Sequence, residues 1–441
     1  MKFQGMVIGV PTEIMHGEGR VSSTPETVKK MVDEGATVLV QKGAGKGAFF
    51  SDEAYVAAGA TMIDGAEEIY QKADVILKVK EPLFNETVGK HESEMLRDGQ
   101  YLITFLHPAA PVNREPMQKL RDTGCISITL DGIPRISRAQ NMDALTSMST
   151  VAGYKAVLMA ANRIAKFLPM VGTAVGVIKP ANVVVLGTGV AGLQAVATAK
   201  RLGAVVTAVD IRPDANEQAK SLGAKALETG VPAEIAIGEG GYAQRLPDEW
   251  LQKEVEKIKP LIKEADVVIC TALIPGKLAP ILITEEMVKT MNPGSAIIDV
   301  AIDQGGNCAL TKAGEEIVAY DVFISGIKNI PGEMPTSSTW MFANNIYNLL
   351  AYLTKDGKIV IEELEMSDED IRAIDRIRIV ACGSAYHVGV SVKYIFEGMA
   401  RIPVEVDAAS EFRYRNPILT ENELVVIISQ SGETADSLAA L

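Results

Sequence analysis

The sequence predicts an α/β protein: two doubly wound domains separated by a cleft, followed by a smaller, incomplete α/β tail. Three observations carry this. Short β-branched runs alternate with helical stretches through most of the chain, which implies parallel sheets. A glycine-rich strand–turn–helix unit lies near the middle. Residues 361–441 then change character, holding 7 Lys and Arg against 15 Asp and Glu. With 441 residues, 47% of them hydrophobic, the chain has material for two or three domains.

The same numbers exclude several function classes. A net charge of −13 without a basic run argues against nucleic acid or an anionic membrane surface as a direct partner. The four cysteines (Cys125, Cys270, Cys308, Cys382) lack C-x-x-C spacing, as expected in a reducing cytoplasm. Met1 leads straight into a strand, so no signal peptide is expected. Pro180–Ala199 is uncharged and long enough to imitate a membrane span. Its glycines and its strand–turn–helix order assign it to a soluble fold instead. His16, His91 and His387 show no metal-ligand spacing, so no metal site is expected.

Taken in order, MVIGV (6–10) is the first strand, followed by a polar loop to Arg20 and a helix from Thr24. TVLVQ (37–41) is the second strand, and the glycines after it lack a phosphate-loop pattern and read as a turn. SDEAYVAAGA (51–60) has a Ser/Asp helix start. VILKVKEP and YLITFLHP are strands that place Lys78 and His107 at their ends, and CISITL (125–130) follows. Residues 1–148, completed by 327–356, make the first domain. Thr150–Leu168 is an Ala/Leu-rich helix bridging two lobes, and Pro169–Pro180 is a linker. The second domain, 149–326, continues through DVVICTAL, AIIDVAI and VFISGI. It is interrupted by IGEGGYAQRLPDEW, a glycine-rich insertion expected to be mobile. An amphipathic helix within 327–356 returns to the first lobe. Residues 357–376 are a linker with a short helix, and 377–441 form the tail.

The central unit is VVVLGTGVAGLQAVATAKRLGAVVTAVDIR (183–212). In such a turn Gly187 makes the bend, Gly189 lets backbone approach a pyrophosphate, and Gly192 brings helix against strand. The helix N-terminus at Val190 offers N–H groups to phosphates. Asp210 falls about 20 residues past the glycines, where a ribose-binding acid belongs. A carboxylate there repels an extra 2′-phosphate, so NAD(H) is the expected cofactor, with Arg212 beside it as the one cation that could reverse this. Thr271, Ala272 and Leu273, at the end of a later strand of the same sheet, complete the cofactor set.

Arg20, Lys78, His107 and Asp303 each lie at or just beyond a strand end, where open α/β sheets bind ligands. Arg and Lys could hold a carboxylate, His could move a proton and Asp could orient an amine or hydroxyl. Each also has a structural reading as a surface charge, strand cap or turn former. The loop Pro134–Asp143 is too polar for a core and could offer amide and guanidinium donors to a carboxamide, or serve as a surface loop in which Asp143 caps a helix.

At these residues a family resemblance becomes visible. PRISRAQNMDALTSMSTVAGY, TALIPGKLAP, LITEEMVKTMNPGS, GGNC and GGYA resemble the NAD(H)-binding part of the alpha subunit of proton-translocating NAD(P) transhydrogenase. The resemblance covers residues 1–360. It implies Arg135, Gln140, Asp143 and Tyr242 near the nicotinamide, with Asp210 on the adenosine ribose. GRVSSTP, ILKVKEP, TFLHPAA and AIDQGG are also similar to the related alanine dehydrogenases. There Arg20 and Lys78 would bind pyruvate, His107 would be acid/base and Asp303 catalytic. The transhydrogenase loops favour the first reading, with NAD-dependent reductive amination of pyruvate as the alternative. That reading implies a cytoplasmic homodimer, peripheral at the inner membrane through membrane-embedded and NADP-binding partner subunits, with no transmembrane segment of its own.

IRIVACGSAYHVG, RIPVEVDAASEFRYR and LVVIISQSGETADSLAAL resemble the SIS domain of glutamine–fructose-6-phosphate aminotransferase. The resemblance implies sugar-phosphate contacts at Ser384, Ser429, Gln430, Ser431 and Thr434, hence a third reading in which the tail senses a hexose phosphate. Only three strands of that sheet are present, and the tail is expected to be a truncated fusion rather than a working module.

Overall fold

Short apolar strands whose side chains alternate between two buried faces build the first lobe. Strands β1 (Val7–Val10), β2 (Thr37–Gln41), β3 (Thr61–Ile63), β4 (Val75–Leu77), β5 (Tyr101–Thr104) and β6 (Ile126–Thr129) form a parallel sheet in the order β3-β2-β1-β4-β5-β6. Val38, Val40, Val75, Leu77 and Ile103 enter one core, while Leu39, Ile76 and Leu102 enter the core on the opposite face. A parallel sheet covered on both sides requires this near-continuous apolar patterning. Strand order reverses between β1 and β4, and at such a switch point loops diverge and leave a crevice.

The computed structural model describes residues 1–441 apart from 109–112, 135, 239–242, 275–276, 361–365, 367, 416, 430–434 and 441. The chain divides into two compact units, Met1–Ile359 and Val360–Leu441.

The bridging helix, α5 when numbered after α1 (Pro25–Asp33), α2 (Asp52–Ala57), α3 (Ala66–Lys72) and α4 (Arg114–Asp122), spans Ala144–Arg163 rather than Thr150–Leu168. Its Ser/Thr-rich start reads as loop by propensity. The Asp143 side chain overrides that by accepting from the backbone N–H of Thr146 at 2.8 Å, and the helix begins more than a turn earlier. Ala144, Met148 and Val151 pack into the first core, and Ala152, Ala156 and Ala160 into the second. The expected linker that follows contains an antiparallel hairpin, β7 (Val171–Thr173) with β8 (Gly176–Ile178).

The second lobe is a seven-stranded sheet. Its strands are β9 (Asn182–Leu186), β10 (Val205–Asp210), β11 (Lys225–Glu228), β12 (Val267–Cys270), β13 (Ala296–Asp299), β14 (Glu316–Ala319) and β15 (Val322–Ser325), in the order β11-β10-β9-β12-β13-β15-β14. Edge strand β14 runs antiparallel to its neighbour, and the other pairings are parallel. Strands β3, β11 and β14 escape sequence reading because they are short, charged or half-exposed edge strands. Helices α6 (Val190–Arg201), α7 (Pro213–Ser221) and α8 (Asp248–Glu264) cover this sheet. Helix α9 (Pro335–Leu353) sends Phe342, Ile346, Leu349 and Leu350 into the first core, each worth about 1.5–3 kcal/mol of burial.

Residues beyond 360 form a separate three-stranded parallel sheet in the order β17-β16-β18, from β16 (Arg376–Ala381), β17 (Val404–Ala408) and β18 (Glu423–Ile428). Arg378 on its central strand is 5% exposed and bonded to Glu423 and Asp407 at 2.6 and 3.0 Å.

Candidate functional site

The carboxyl ends of β10, β9, β12 and β13 are adjacent in the second sheet, so residues just beyond them gather along one edge. The glycine turn leaves β9 there. Gly187 has φ +85, and a Cβ on it would lie 2.7 Å from the Ala272 backbone. A Cβ on Gly192 would lie 1.9 Å from the Gly187 carbonyl oxygen, which fixes how closely α6 approaches the strand. Gly189, directly before Val190 at the α6 N-terminus, differs: a Cβ there meets nothing within 4 Å. The turn is therefore packed shut on two sides and open on the third, above the unsatisfied N–H groups of a helix start. A phosphate fits that opening and a methyl group would fill it.

Asp210 ends β10 and is 6% exposed. It accepts the Thr188 N–H at 2.7 Å, and Arg212 donates to it from its backbone N, Nε and Nη2, each at 2.9 Å. Burial opposes ionisation, but the Arg212 guanidinium outweighs it and holds the carboxyl below its ordinary range. The anion is thus fixed at the turn, and the cation that could greet a 2′-phosphate is occupied by it. On the other side, Thr271 Oγ1 donates to the Gly187 carbonyl at 2.7 Å, and Leu273 is 39% exposed.

Two residues near this edge were not singled out from sequence. Glu254, on α8, is 6% exposed, and burial together with the Asp210 charge pushes its carboxyl up to about 7. Asn307 lies at 0% exposure and bonds both backbone polar groups of Ala272. Its signal was present in the GGNC motif, but nothing in spacing distinguishes that asparagine from a turn former.

In the first lobe, Arg20, Lys78 and His107 follow β1, β4 and β5, three neighbouring strands. They are on one edge, but two of the three are enclosed. Arg20 is 3% exposed, with its guanidinium bonded to Glu18 and, at 2.8 Å, to Asn329. Burial works against the Glu18 charge, and Arg20 outweighs it, holding the carboxyl below its ordinary range. Lys78 is wholly buried, 3.1 Å from Glu92 and 3.4 Å from Glu13, with the Tyr70 hydroxyl donating to Glu92 at 3.2 Å. Burial disfavours its charge, but the two carboxylates hold the ammonium above the ordinary lysine range.

His107 is different. Its Nδ1 is 2.6 Å from Asp131 Oδ1, while the backbone N–H groups of Leu106 and His107 donate to Asp131 Oδ2. Burial opposes the Asp131 charge, and the bond to His107 outweighs it and keeps the carboxyl well below its usual range. Phe105 stacks on the ring with centroids 5.5 Å apart, and the backbone carries φ +46. An imidazole fixed by a carboxylate through one nitrogen suits proton transfer at the other. Asp303 is exposed and comes from the other lobe, in the turn Val300–Gln304 after β13.

Of the bridging-loop residues, Gln140 is exposed on the turn Ser137–Met142. Asp143 is buried as the α5 cap, also accepting from Thr146 Oγ1 at 2.6 Å. Arg135 and Tyr242 lie outside the described residues. In the tail, Ser384 opens helix α10 (Ser384–Ala400) and Ser429 follows β18, while Gln430, Ser431 and Thr434 lie outside the described residues. Among the described residues no three His, Cys, Asp or Glu are grouped to hold a metal, and no helix is long and apolar enough to cross a membrane.

A dinucleotide turn on one lobe, with a carboxylate-bound histidine on the other, is the plan of a nicotinamide-dependent oxidoreductase. The chain belongs to the alanine dehydrogenase/PNT family, whose N-terminal domain model matches residues 9–152 and C-terminal domain model residues 156–378. The first part of the NAD(P) transhydrogenase alpha subunit of Rhodospirillum rubrum is 44% identical over 362 residues, covering 82% of this chain and 94% of that protein. Alanine dehydrogenase of Bacillus subtilis is 36% identical, covering 77% and 83%. The crystal structure of transhydrogenase from Sinorhizobium meliloti superimposes with a TM-score of 0.71 at 38% identity, covering 81% and 96%. The SIS domain model matches residues 370–441. NAD(H) is the cofactor of this family, and the open cradle at Gly189 beside the fixed Asp210 fits it.

Proposed function

We propose that residues 1–359 act as the NAD(H)-binding alpha subunit of a proton-translocating NAD(P) transhydrogenase. Hydride passes from NADH to NADP held on a partner subunit, giving NAD and NADPH. NADH when bound supplies the hydride; the chain's own residues bind and orient it. Gly189 and the α6 N-terminus receive the pyrophosphate, and Asp210 takes the adenosine ribose. Gln140, with Arg135 and Tyr242, serves the nicotinamide end, and Asp143 acts there through its cap on α5, which holds the loop that carries Arg135 and Gln140. The chain acts as a homodimer on the cytoplasmic side of the inner membrane, held there by its partners.

The observation that carries this choice over alanine dehydrogenation is the enclosure of Arg20 and Lys78. A 2-oxo acid needs free cations for its carboxylate, and here both are covered by Glu18, Glu13 and Glu92. The His107–Asp131 pair favours the second reading, since hydride transfer between two nicotinamides moves no proton at the chain's own residues. Two assays separate the readings. The purified chain mixed with membrane and NADP-binding transhydrogenase subunits should reduce NADP with NADH, and the chain alone should not. Oxidation of NADH by pyruvate and ammonium with the chain alone, lost in His107→Ala, would decide for alanine dehydrogenase. For the tail, melting that is unchanged by fructose 6-phosphate would dismiss a sugar-phosphate role, because a specific ligand stabilises what it binds.

A further inference from the structure

Asn307 makes a hydrogen bond at every polar atom it has. Its Oδ1 accepts the Ala272 N–H at 3.0 Å, and its Nδ2 donates to the carbonyls of Ala272 and Pro280, both at 2.9 Å. Its own N–H donates to Asp299 Oδ2 at 2.9 Å, an oxygen that also takes the Cys308 N–H at 3.0 Å. Its carbonyl accepts from Leu282 and Ile283 at 2.8 and 2.9 Å. Gly306 permits the Asp299 contact, since a Cβ there would lie 2.7 Å from Asp299 Oδ2.

The consequence falls on the two bonded positions. Ala272 and Pro280 both follow β12 in the chain, and Leu278 is 77% exposed. One end rests directly on the glycine turn: the Ala272 Cα would be 2.7 Å from a Cβ on Gly187. A strand would normally pair both the N–H and the C=O of residue 272, but β12 ends at Cys270. A carboxamide is the side-chain group that offers an acceptor and two donors in one plane, so it can replace that strand. Aspartate has no donor when ionised and would set an anion against two carbonyl oxygens.

We propose that Asn307, held by Asp299, is a positioning residue of the dinucleotide site. It fixes Ala272 against the Gly187 turn, with Pro280 held by the same carboxamide, and so sets the width of the crevice on the side away from Asp210. This rests on the reading that the crevice takes NAD(H). The adenosine end, held by Asp210 on the opposite flank, does not depend on it.

The test compares NADH with AMP on the full chain, by NADH fluorescence and by calorimetry. In Asn307→Asp and Asn307→Ala the dissociation constant for NADH should rise about tenfold, the factor for one lost interaction of ordinary strength, while that for AMP stays as in the wild type. Equal weakening of both ligands would mean a structural role only, and unchanged NADH affinity would mean no role; either overturns the inference. Failure of the wild type to bind NADH would instead overturn the functional reading. Hydrogen exchange on the unliganded wild type needs no variant. The Ala272 amide should exchange as slowly as those of β12, and fast exchange there would overturn the proposal.

Discussion

Replacing Glu254 by Gln should make the protein more stable at pH 8 and remove part of its pH dependence. Glu254 lies on α8 at 6% exposure, and its carboxyl is pushed up to about 7 from an ordinary 4.5, first by burial and then by the Asp210 charge. The adjacent lysines are engaged elsewhere: Lys253 with Glu249 at 2.6 Å, and Lys257 with the Glu228 carbonyl at 3.3 Å. Below pH 4.5 the group is protonated whether the chain is folded or not. Between 4.5 and 7 the folded protein keeps the proton and the unfolded chain loses it, so stability falls as pH rises. Each pH unit in that window is worth about 1.4 kcal/mol, and the whole window about 3 kcal/mol as an upper value. Glutamine is neutral throughout and avoids the loss. The chain's two tryptophans are Trp250, on the same helix, and Trp340. Urea unfolding of a Trp340→Phe background, followed by Trp250 fluorescence from about pH 4 to 8, therefore reads the right element. The variant should match its parent at the acid end and exceed it at the alkaline end. Identical pH profiles would refute the reasoning, because Glu254 would then ionise in the folded protein as it does in the unfolded chain.

Asp210→Ala should weaken NADH binding by about ten- to a hundredfold, the range for a lost hydrogen bond to a charged group. It should also admit NADPH, because Arg212 is released to meet a 2′-phosphate; fluorescence titration with both cofactors checks this. Gly189→Ala and Gly192→Ala should fail in opposite ways. The first puts a methyl group in open space, so melting is unchanged and NADH binding is lost. The second forces a methyl group to 1.9 Å from a backbone oxygen, costing about 1–3 kcal/mol or more in a melting experiment.

The strands and the glycine turn were legible because their signals are local. Val183–Leu186 is an unbroken apolar run, and Gly187, Gly189, Gly192 and Asp210 stand at fixed spacing after it. The start of α5 was only half legible: Asp143 reads as a helix cap, but LTSMST after it has the composition of a loop, and the Asp143 bond to Thr146 shows that the helix runs through it. Edge strands β11 and β14 are four residues each and half-exposed, too short to show a period. The site was legible as a set of residue types but not as a set of partners. Sequence placed Lys78 at a strand end correctly, yet Glu13 and Glu92 come from 65 and 14 residues away. Asn307 acts on a loop 35 residues earlier. Pairings at that separation leave no trace in spacing.

Arg20 shows why partners matter more than residue identity for the choice of reaction. In the sequence it is a strand-end arginine suited to a carboxylate. In the fold Glu18 already supplies that carboxylate, and Asn329 completes the group by accepting from Arg20 Nη2 at 2.8 Å and donating to Glu18 Oε2 at 2.9 Å. Asn329 lies between β15 and α9, on the segment that carries the chain out of the second sheet and back to the first core. A 2-oxo acid binding Arg20 must therefore displace Glu18 from a buried pair, and breaking such a pair costs about 3–5 kcal/mol. It must also break the Asn329 bonds to both partners. A few hydrogen bonds to a small carboxylate offset little more than the first of these costs. An extended dinucleotide bound along the second sheet at Gly189 and Asp210 disturbs neither. The same arginine that would anchor pyruvate in an open site is here held by Glu18 and by Asn329, on the segment that returns from the second sheet to the first core.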